Sequence, residues 1–181
     1  MSALTDLTNV NVVRRAHDKV RLRDVEAGDL PLFFEHQRDA VAVAMVVFRS
    51  RNRNEFDQHW AKLLADDVVL KKTIVVDDQV AGHLVSFVRD GKREVGYWLD
   101  RAFWGRGIGT EALTAFLRLE RRRPLYAGVA KHNAASIRVL KKCGFTLPAG
   151  EEAANADGSH LLLMPRSRSP QRARLLTSDL F

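Results

Sequence analysis

The sequence predicts one α/β domain whose central sheet is mixed and mostly antiparallel, with helices on both faces. The chain has 181 residues, a length that suits one domain with a real hydrophobic core. Its middle contains three successive strand signals separated by short turns, which predicts an antiparallel meander. A strand, a glycine-rich loop, a helix and another strand follow, and such a crossover makes its two strands parallel neighbours. Strands grouped before a unit of this kind are typical of a mixed sheet.

The segment before the meander predicts a strand followed by helices. Val20–Arg23 alternates between apolar and charged residues and is expected to be the first strand. Asp29 is expected to cap a helix that runs to about residue 38, with a proline in its first turn. Residues 40–48 are mostly apolar and fit either a short helix or a strand.

A second helix is expected to lead into the meander, capped by Asn54 and ending near Ala65, because its apolar residues recur at helical spacing. Two dipeptides, Asp77-Asp78 and Asp90-Gly91, are turn signals between β-rich segments. The three expected strands are 68–76, 80–89 and 93–99.

The C-terminal half begins with a loop that contains Gly105, Gly107 and Gly109. Asn133 is expected to cap a later helix, and Gly144 to end it. The expected elements are helix 110–121, strand 125–130, helix 133–143 and two last strands, 145–147 and 159–164. The core face of the first of these helices is expected at Ala112, Leu113, Phe116, Leu117 and Leu119.

Composition and charge exclude several classes of protein and of binding site. The 29 basic and 22 acidic residues give a net charge of +7 without the dense basic stripe that a nucleic-acid-binding domain shows. A modestly basic body suits a small anionic ligand better. The single cysteine, Cys143, excludes an intrachain disulfide and a cysteine-based zinc framework, and no metal site is expected. No apolar run is long enough to cross a bilayer, so we expect a cytoplasmic protein.

Three regions are expected along the chain. Residues 1–19 form a flexible N-terminal lead-in, residues 20–165 form the domain, and residues 166–181 form a basic, disordered tail. The four arginines of this tail leave one alternative function, nucleic-acid binding. A salt-dependent affinity that disappears with the tail would identify it.

The glycine-rich loop carries the clearest chemical signal. Its glycines allow several backbone N–H groups to point at one place, and the following helix adds the partial positive charge of its N-terminus. The combination predicts a site for phosphate. The alternative is an ordinary tight turn, because neither the dinucleotide-binding pattern nor the P-loop pattern is present.

Together with the Asn133–Gly144 helix, this loop resembles the GNAT superfamily of acyl-CoA-dependent N-acetyltransferases. The chain looks most like the branch that contains the ribosomal-protein N-terminal acetyltransferases. The matching segments are the Gly-Tyr-Trp-Leu strand at 96–99, the Trp-Gly-x-Gly-x-Gly-Thr-Glu-Ala loop and helix at 104–112, and the Asn-x-x-Ser helix that ends in Gly-Phe at 133–145. Trp104 stands where the family's loop generally begins with Gln or Arg, as is usual in this branch.

The resemblance implies that acetyl-CoA is the co-substrate and that named residues contact it. The implied contacts are the backbone N–H groups of Arg106, Gly107, Ile108, Gly109 and Thr110 with the pyrophosphate, Leu99 and Arg101 with the pantetheine amides, Trp98 with the acetyl carbonyl, Asn133 with the pantetheine arm, and Arg138 with the adenosine phosphate.

Acetyl transfer to an amine needs a group that takes a proton from the amine, because only the neutral amine is a nucleophile. Glu94 opens the strand that leads to the loop, where the branch often carries an acidic residue, and it is the candidate base. The alternative is a solvated strand-end charge that pairs with Arg93 or Lys92.

The leaving thiolate needs a proton or a hydrogen bond. Many members of the family use a tyrosine for this purpose at the position that is Leu140 here. Ser136 lies one turn earlier, where this branch places a serine, and it is the candidate donor. The alternative for Ser136 is a small residue that merely lets CoA approach.

These residues predict an N-acetyltransferase that moves acetyl from acetyl-CoA to a primary amine, a protein N-terminus or a small molecule, by direct attack in a ternary complex. A catalytically silent acyl-CoA-binding or regulatory domain is the alternative, because the tyrosine is missing. No membrane partner is expected, and a homodimer is left open. The loops near residues 36–54 and 148–158 would select the acceptor, and they carry no motif.

Overall fold

A computed structural model describes residues 19–46, 50–147 and 159–165 of the chain. The expected lead-in up to residue 18, most of the loop before the last strand and the expected basic tail lie outside these described residues. None of the helices in the described ranges is long and apolar enough to cross a bilayer.

The described residues form a six-stranded sheet in which every strand neighbours the next strand of the chain. All pairs are antiparallel except the fourth and fifth strands, which are parallel. The strands are β1 (Val20–Arg23), β2 (Leu70–Val76), β3 (Gln79–Arg89), β4 (Lys92–Leu99), β5 (Leu125–Val129) and β6 (His160–Met164). The predicted meander and the predicted parallel crossover are both confirmed.

Helices cover both faces of this sheet, as predicted. They are α1 (Leu30–His36), α2 (Ala40–Val43), α3 (Arg53–Ala65), α4 (Ile108–Leu119) and α5 (Ala134–Lys142). The larger hydrophobic cluster lies under α4 and α5, and a smaller one of Phe33, Phe56 and Trp60 lies on the other face. Because side chains alternate along a strand, Val95, Tyr97 and Leu99 face the first cluster, and Glu94, Gly96 and Trp98 face α1 and α3.

One predicted helix cap is wrong, and a second lies at the predicted residue but lacks the side-chain hydrogen bond. Helix α3 is capped by Asn52 rather than Asn54: the Asn52 side chain accepts the Glu55 N–H at 2.9 Å, and the Glu55 carboxylate accepts the Asn52 N–H at 3.0 Å. Asp29 precedes α1 but makes no side-chain cap, because its carboxylate is turned toward Arg23 and Thr73.

Three boundaries near the sheet also differ from the prediction. Residues 145–147 form no strand, since only Thr146 makes an isolated bridge, to Leu163 of β6. Strand β2 begins at Leu70, two residues later than expected. Leu119 is 53% exposed because α4 has reached its last residue there, so Leu119 does not belong to the core face.

A buried carboxylate ties β1 to β2 and to the turn before α1. Asp29 accepts two hydrogen bonds of 2.6 Å from Arg23, one of 2.7 Å from the Thr73 hydroxyl and one of 3.0 Å from the Glu26 N–H. Burial alone would raise the pKa of the Asp29 carboxyl, but these hydrogen bonds outweigh it and hold the pKa below its usual value.

We expect Asp29→Asn to lower the free energy of unfolding at pH 7 by about 3 kcal/mol, because it breaks a buried ion pair and leaves its donors poorly matched. A carboxyl with a lowered folded pKa stabilises the protein above its unfolded pKa of about 3.9, and this stabilisation is lost as the pH falls through the folded value. Urea unfolding at pH 7 and pH 3 should therefore show the largest gap between wild type and variant at pH 7. Asp24→Asn, in the same loop but at an exposed carboxylate, should change little. A gap that does not narrow in acid would contradict the role of the charge.

Candidate active site

The sheet opens between its two parallel strands. β4 pairs with β3 along its whole length, and β5 does the same with β6, but β4 and β5 share only the register pair Glu94–Tyr126 in the described structure. Beyond this pair, toward the C-terminal ends of the two strands, the described structure records no backbone pairing between them. The opening therefore lies where ligands bind in sheets with parallel strands, next to the loop and helix that follow β4.

The glycine-rich loop forms one lip of this opening. Gly105 and Gly107 have φ values of 74° and 83°, a left-handed conformation that favours glycine. Gly107 is the N-terminal cap of α4, so the amides of the first turn of a twelve-residue helix point out of the loop. The Thr110 N–H donates to the Gly107 carbonyl at 3.0 Å, within this turn. The Thr110 N–H, expected to contact the pyrophosphate, is therefore already used inside the helix. The backbone N–H groups of the residues before it form the partly positive end of α4.

The loop between β5 and α5 forms the other lip. Asn133 caps α5 as predicted, accepting the Ser136 N–H at 2.9 Å, while its amide donates to the Met45 carbonyl at 2.9 Å. The neighbouring His132 ring contacts the Ala44 carbonyl at 2.6 Å. The segment after α2 is therefore held against this lip, and both ends of the Asn133 side chain have partners in the protein.

A cavity of about 1020 Å³ runs through the opening. Its lining comes from both faces of the sheet, so the glycine-rich loop is connected with the space under α1 and α3. The predicted site residues that line it are Glu94, Trp98, Leu99, Trp104, Gly107, Ile108, Gly109, Thr110, Asn133, Ser136 and Arg138. The structure thus brings together every predicted site residue except Arg101 and Arg106.

Those two arginines lie beside the cavity. The strand ends at Leu99, and Arg101 begins a 3₁₀ turn with its side chain paired to Asp39 at 2.8 Å. The Arg106 guanidinium lies 5.3 Å from the centre of the Phe103 ring. The Leu99 carbonyl, expected to meet the pantetheine arm, accepts a hydrogen bond of 2.8 Å from the Trp104 indole. The roles implied for these residues stay predictions.

Glu94 lies at the closed end of the opening, on the cavity wall. It is buried, and both carboxylate oxygens accept hydrogen bonds from Arg89, at 3.0 and 2.7 Å. The alternative of a solvated charge paired with Arg93 or Lys92 is wrong. Arg93 alternates to the other face of the sheet and lies 3.7 Å from Glu120.

Ser136 meets a residue that the sequence did not single out. The Tyr97 hydroxyl, on β4, donates to Ser136 Oγ at 3.0 Å across the opening. Burial raises the pKa of Tyr97, although the contact with Ser136 acts in the opposite direction, so this hydroxyl keeps its proton at neutral pH. Leu140, at the position where the resemblance implies a tyrosine in many relatives, is buried in the core.

The wall of the cavity under α1 and α3 is aromatic and was missed at the sequence level. Trp60 and Phe33 are buried there and contact the His83 ring, with ring centres 5.0 and 4.6 Å apart. The spacing of these residues along their helices and strand predicts that they are buried in the core. It does not show that a cavity lies next to them.

Two histidines on this wall are neutral at physiological pH. Burial lowers the pKa of His83 to about 3. Burial, with the positive charges of Arg51 and Lys62, lowers the pKa of His59 to about 4. In the described part of the chain, His83 Nδ1 has no hydrogen-bond partner.

Comparison with known proteins links this geometry to one family. The model of the acetyltransferase (GNAT) domain matches residues 19–146. A probable N-acetyltransferase of Bacillus subtilis, YjcK, is 33% identical over 103 residues, which are 54% of this chain and 53% of that protein. The chain therefore spans about half the length of this curated relative.

Solved structures with the same fold include two enzymes described in complex with CoA. An aminoglycoside acetyltransferase, AAC(6')-Ib, superposes with a TM-score of 0.69 at 19% identity, over 82% of this chain and 95% of that one. Spermidine N-acetyltransferase from Vibrio cholerae, with CoA and spermine, has a TM-score of 0.66 at 14% identity, over 80% and 92%. At these sequence identities the similarity shows a shared fold and no more.

Proposed function

Since the chain belongs to the GNAT acetyltransferase family, we propose that it transfers the acetyl group of acetyl-CoA to a primary amine by direct attack within a ternary complex. The observation that carries this proposal is the single cavity through the opening between β4 and β5. It gives acetyl-CoA and an acceptor a common meeting point from opposite faces of the sheet. The α4 amides would hold the pyrophosphate, and the unpaired backbone of the opening would hold the pantetheine arm like an added strand.

In the proposed reaction, the amine nitrogen bonds to the thioester carbonyl carbon and the carbon–sulfur bond breaks. Glu94 takes the proton of the amine, directly or through a water molecule, because it is the carboxylate on the cavity wall at the closed end of the opening. Arg89 holds this carboxylate in place with two hydrogen bonds.

The leaving thiolate would receive a hydrogen bond from Ser136. Because Tyr97 donates to Ser136 Oγ, the serine's own proton is left to point elsewhere, toward the sulfur. The Tyr97 hydroxyl on β4 and the Ser136 hydroxyl on α5 would then together supply the hydrogen bond that a helix tyrosine supplies in many members of the family. The alternative of a silent acyl-CoA-binding domain is supported by the missing helix tyrosine alone.

The acceptor class is also a proposal. The Gly-Tyr-Trp-Leu strand and the Trp104 loop support a place near the ribosomal-protein branch, and hence a protein N-terminus. The solved neighbours named above point to small-molecule amines instead. An acceptor panel read by release of free CoA thiol decides between these acceptors, and release with none of them would favour the silent domain.

Acetyl-CoA at 100 times its dissociation constant should raise the free energy of unfolding by about 2.7 kcal/mol, because it binds only the folded state. Thermal unfolding with and without acetyl-CoA measures this, with AMP as the control for adenosine binding alone. An unchanged melting temperature at millimolar acetyl-CoA would contradict the proposed cofactor.

We expect Tyr97→Phe and Ser136→Ala each to lower turnover about 10-fold, since each removes one member of the hydroxyl pair, and a hydrogen bond to a charged group is worth about 1.5 to 3 kcal/mol. The fold loss in turnover should be the same at pH 7 and pH 9. The two hydroxyls act on the departure of the thiolate, and this step does not depend on the protonation of the amine. The double variant should lose little more than either single variant. Additive losses would mean that the two hydroxyls act separately.

A further inference from the structure

The segment that contains α2 is held to both lips of the opening. Residues 39–46 form this α2 segment. On the lip of the glycine-rich loop, the Arg101 guanidinium donates to the Asp39 carboxylate at 2.8 Å, and Arg101 lies in the 3₁₀ turn that precedes that loop. On the other lip, the segment is held by the side chains of His132 and Asn133. The α2 segment therefore reaches across the opening from one lip to the other.

One side of the α2 segment lines the cavity, through Ala42, Met45 and Val46. The segment directly follows α1, which packs with α3 on one face of the sheet, whereas α4 and α5 cover the other face. It thus reaches the opening from the face opposite the α4 N-terminus, where the acceptor would enter. The position of the segment sets the shape of the cavity on that side.

The two carboxylate oxygens of Asp39 make different contacts. Oδ1 caps α2, because it accepts the N–H groups of Val41 and Ala42 at 2.9 and 3.0 Å. Oδ2 accepts the hydrogen bond from Arg101. The Arg101 side chain is 56% exposed, and an ion pair this exposed adds little to the stability of a fold. Its main consequence is the position that it gives to the α2 segment.

We propose that Asp39 and Arg101 are positioning residues for the acceptor: their ion pair fixes the α2 segment at the opening, and the segment forms one wall of the acceptor site. This inference rests on the proposed function, because it concerns the second substrate of the same site. It gives the Arg101 side chain a role on the acceptor side, whereas the resemblance to the family implies a contact of this residue with the pantetheine amides.

Asp39→Asn separates the two contacts of the carboxylate, because asparagine also caps helices but carries no charge. We expect it to raise the KM of the best amine in the acceptor panel about 5-fold, the upper range for an exposed ion pair. The value of kcat and the dissociation constant of acetyl-CoA should stay close to those of the wild type, because the lost contact contributes to acceptor binding alone.

Arg101→Gln should raise the same KM by a similar factor, and Arg101→Lys should restore most of the loss, because lysine can still pair with Asp39. The double variant with Asp39→Asn and Arg101→Gln should be no worse than either single variant, since both changes remove one contact.

Asp57→Asn is the matched control. Asp57 accepts a hydrogen bond from Arg53 at 2.8 Å within α3, and the Arg53 side chain is also 56% exposed. Neither residue is among those that line the cavity. This variant should therefore keep the KM of the wild type for the same amine.

Amide hydrogen exchange of residues 41–46 follows the α2 segment without any acetyl transfer. The exchange should be about 5-fold faster in Asp39→Asn and in Arg101→Gln than in the wild type, and unchanged in Asp57→Asn. Faster exchange in the first two variants alone would show that the ion pair holds the segment.

The two proposals fail in different ways. No release of thiol with any amine would defeat the proposed function itself. With an accepted amine, the positioning role would be overturned by an unchanged KM in Asp39→Asn, by additive losses in the double variant, or by unaltered hydrogen exchange. An affinity for acetyl-CoA that falls in parallel with the KM effect would also overturn it, because the ion pair would then act on the cofactor.

Discussion

Gly107→Val is expected to raise the dissociation constant for CoA about 100-fold. Gly107 has a φ of 83°, where a β-branched side chain is strained by about 1 to 3 kcal/mol, although a Cβ there would meet nothing within 4 Å. The chain can relieve this strain only by changing the path of the loop, and the backbone amides at the start of α4 then lose their common direction. Isothermal titration of CoA measures the loss.

Gly91→Val is the matched control for this variant. Gly91 has a φ of 73° and also has nothing within 4 Å of a built Cβ, but it lies in the hairpin between β3 and β4. It should lose similar stability and keep its affinity for CoA. Arg106→Ala should weaken CoA less than Gly107→Val does, because the guanidinium lies beside Phe103 rather than in the cavity lining. The reverse order would mean that the loop is an ordinary turn next to an arginine site.

Glu94→Gln should lower turnover at pH 7 about 100-fold, at the low end of what a general base contributes. The amide keeps the size of the side chain but cannot take a proton from the amine. The loss should shrink as the pH rises toward the pKa of the acceptor, because more of the amine is then already neutral. It should also be smaller for an α-amine, with a pKa near 8, than for a lysine, with a pKa of about 10.4.

Steady-state kinetics between pH 7 and pH 9.5, with acetyl-CoA affinity measured separately, tests this role. The affinity should be nearly unchanged, since Glu94 lies at the closed end of the opening and not in the glycine-rich loop. Glu35→Gln, at an exposed carboxylate paired with Arg38, should behave as wild type. Full activity of Glu94→Gln at pH 7 would mean that water or the acceptor itself, and not Glu94, takes the proton of the amine.

The order of the strands could be predicted because each strand and each turn is specified by residues that lie close together in the sequence. Turn dipeptides such as Asp90-Gly91 and the two-residue alternation of strands specify a meander without any knowledge of distant contacts. The correct cap of α3 was also readable: Asn52 has Glu55 three residues later, and Asn54 has no such partner. The same local character explains why the glycine-rich loop and the capped α5 were found.

The partners inside the site could not be predicted because they depend on register. Arg89 reaches Glu94 because β3 and β4 pair so that Phe87 faces Glu94 and Arg89 faces Lys92, which makes Arg89 a diagonal neighbour on the same face. Tyr97 and Ser136 are 39 residues apart and meet only after the crossover has placed α5 beside β4. A three-dimensional neighbour of this kind leaves no pattern in the sequence.

The single register pair between β4 and β5 also affects how readily the protein aggregates. An unpaired strand edge usually invites a second chain to add itself, which is a route to aggregation. Here two such edges face each other in the interior of a sheet, one beside the α4 loop and the other beside α5 and the segment after α2. These edges lie inside the sheet, between its fourth and fifth strands, and not at its rim, where a second chain would normally add. The unpaired backbone groups of β4 and β5 are therefore less open to a second polypeptide than those of an outer edge strand would be.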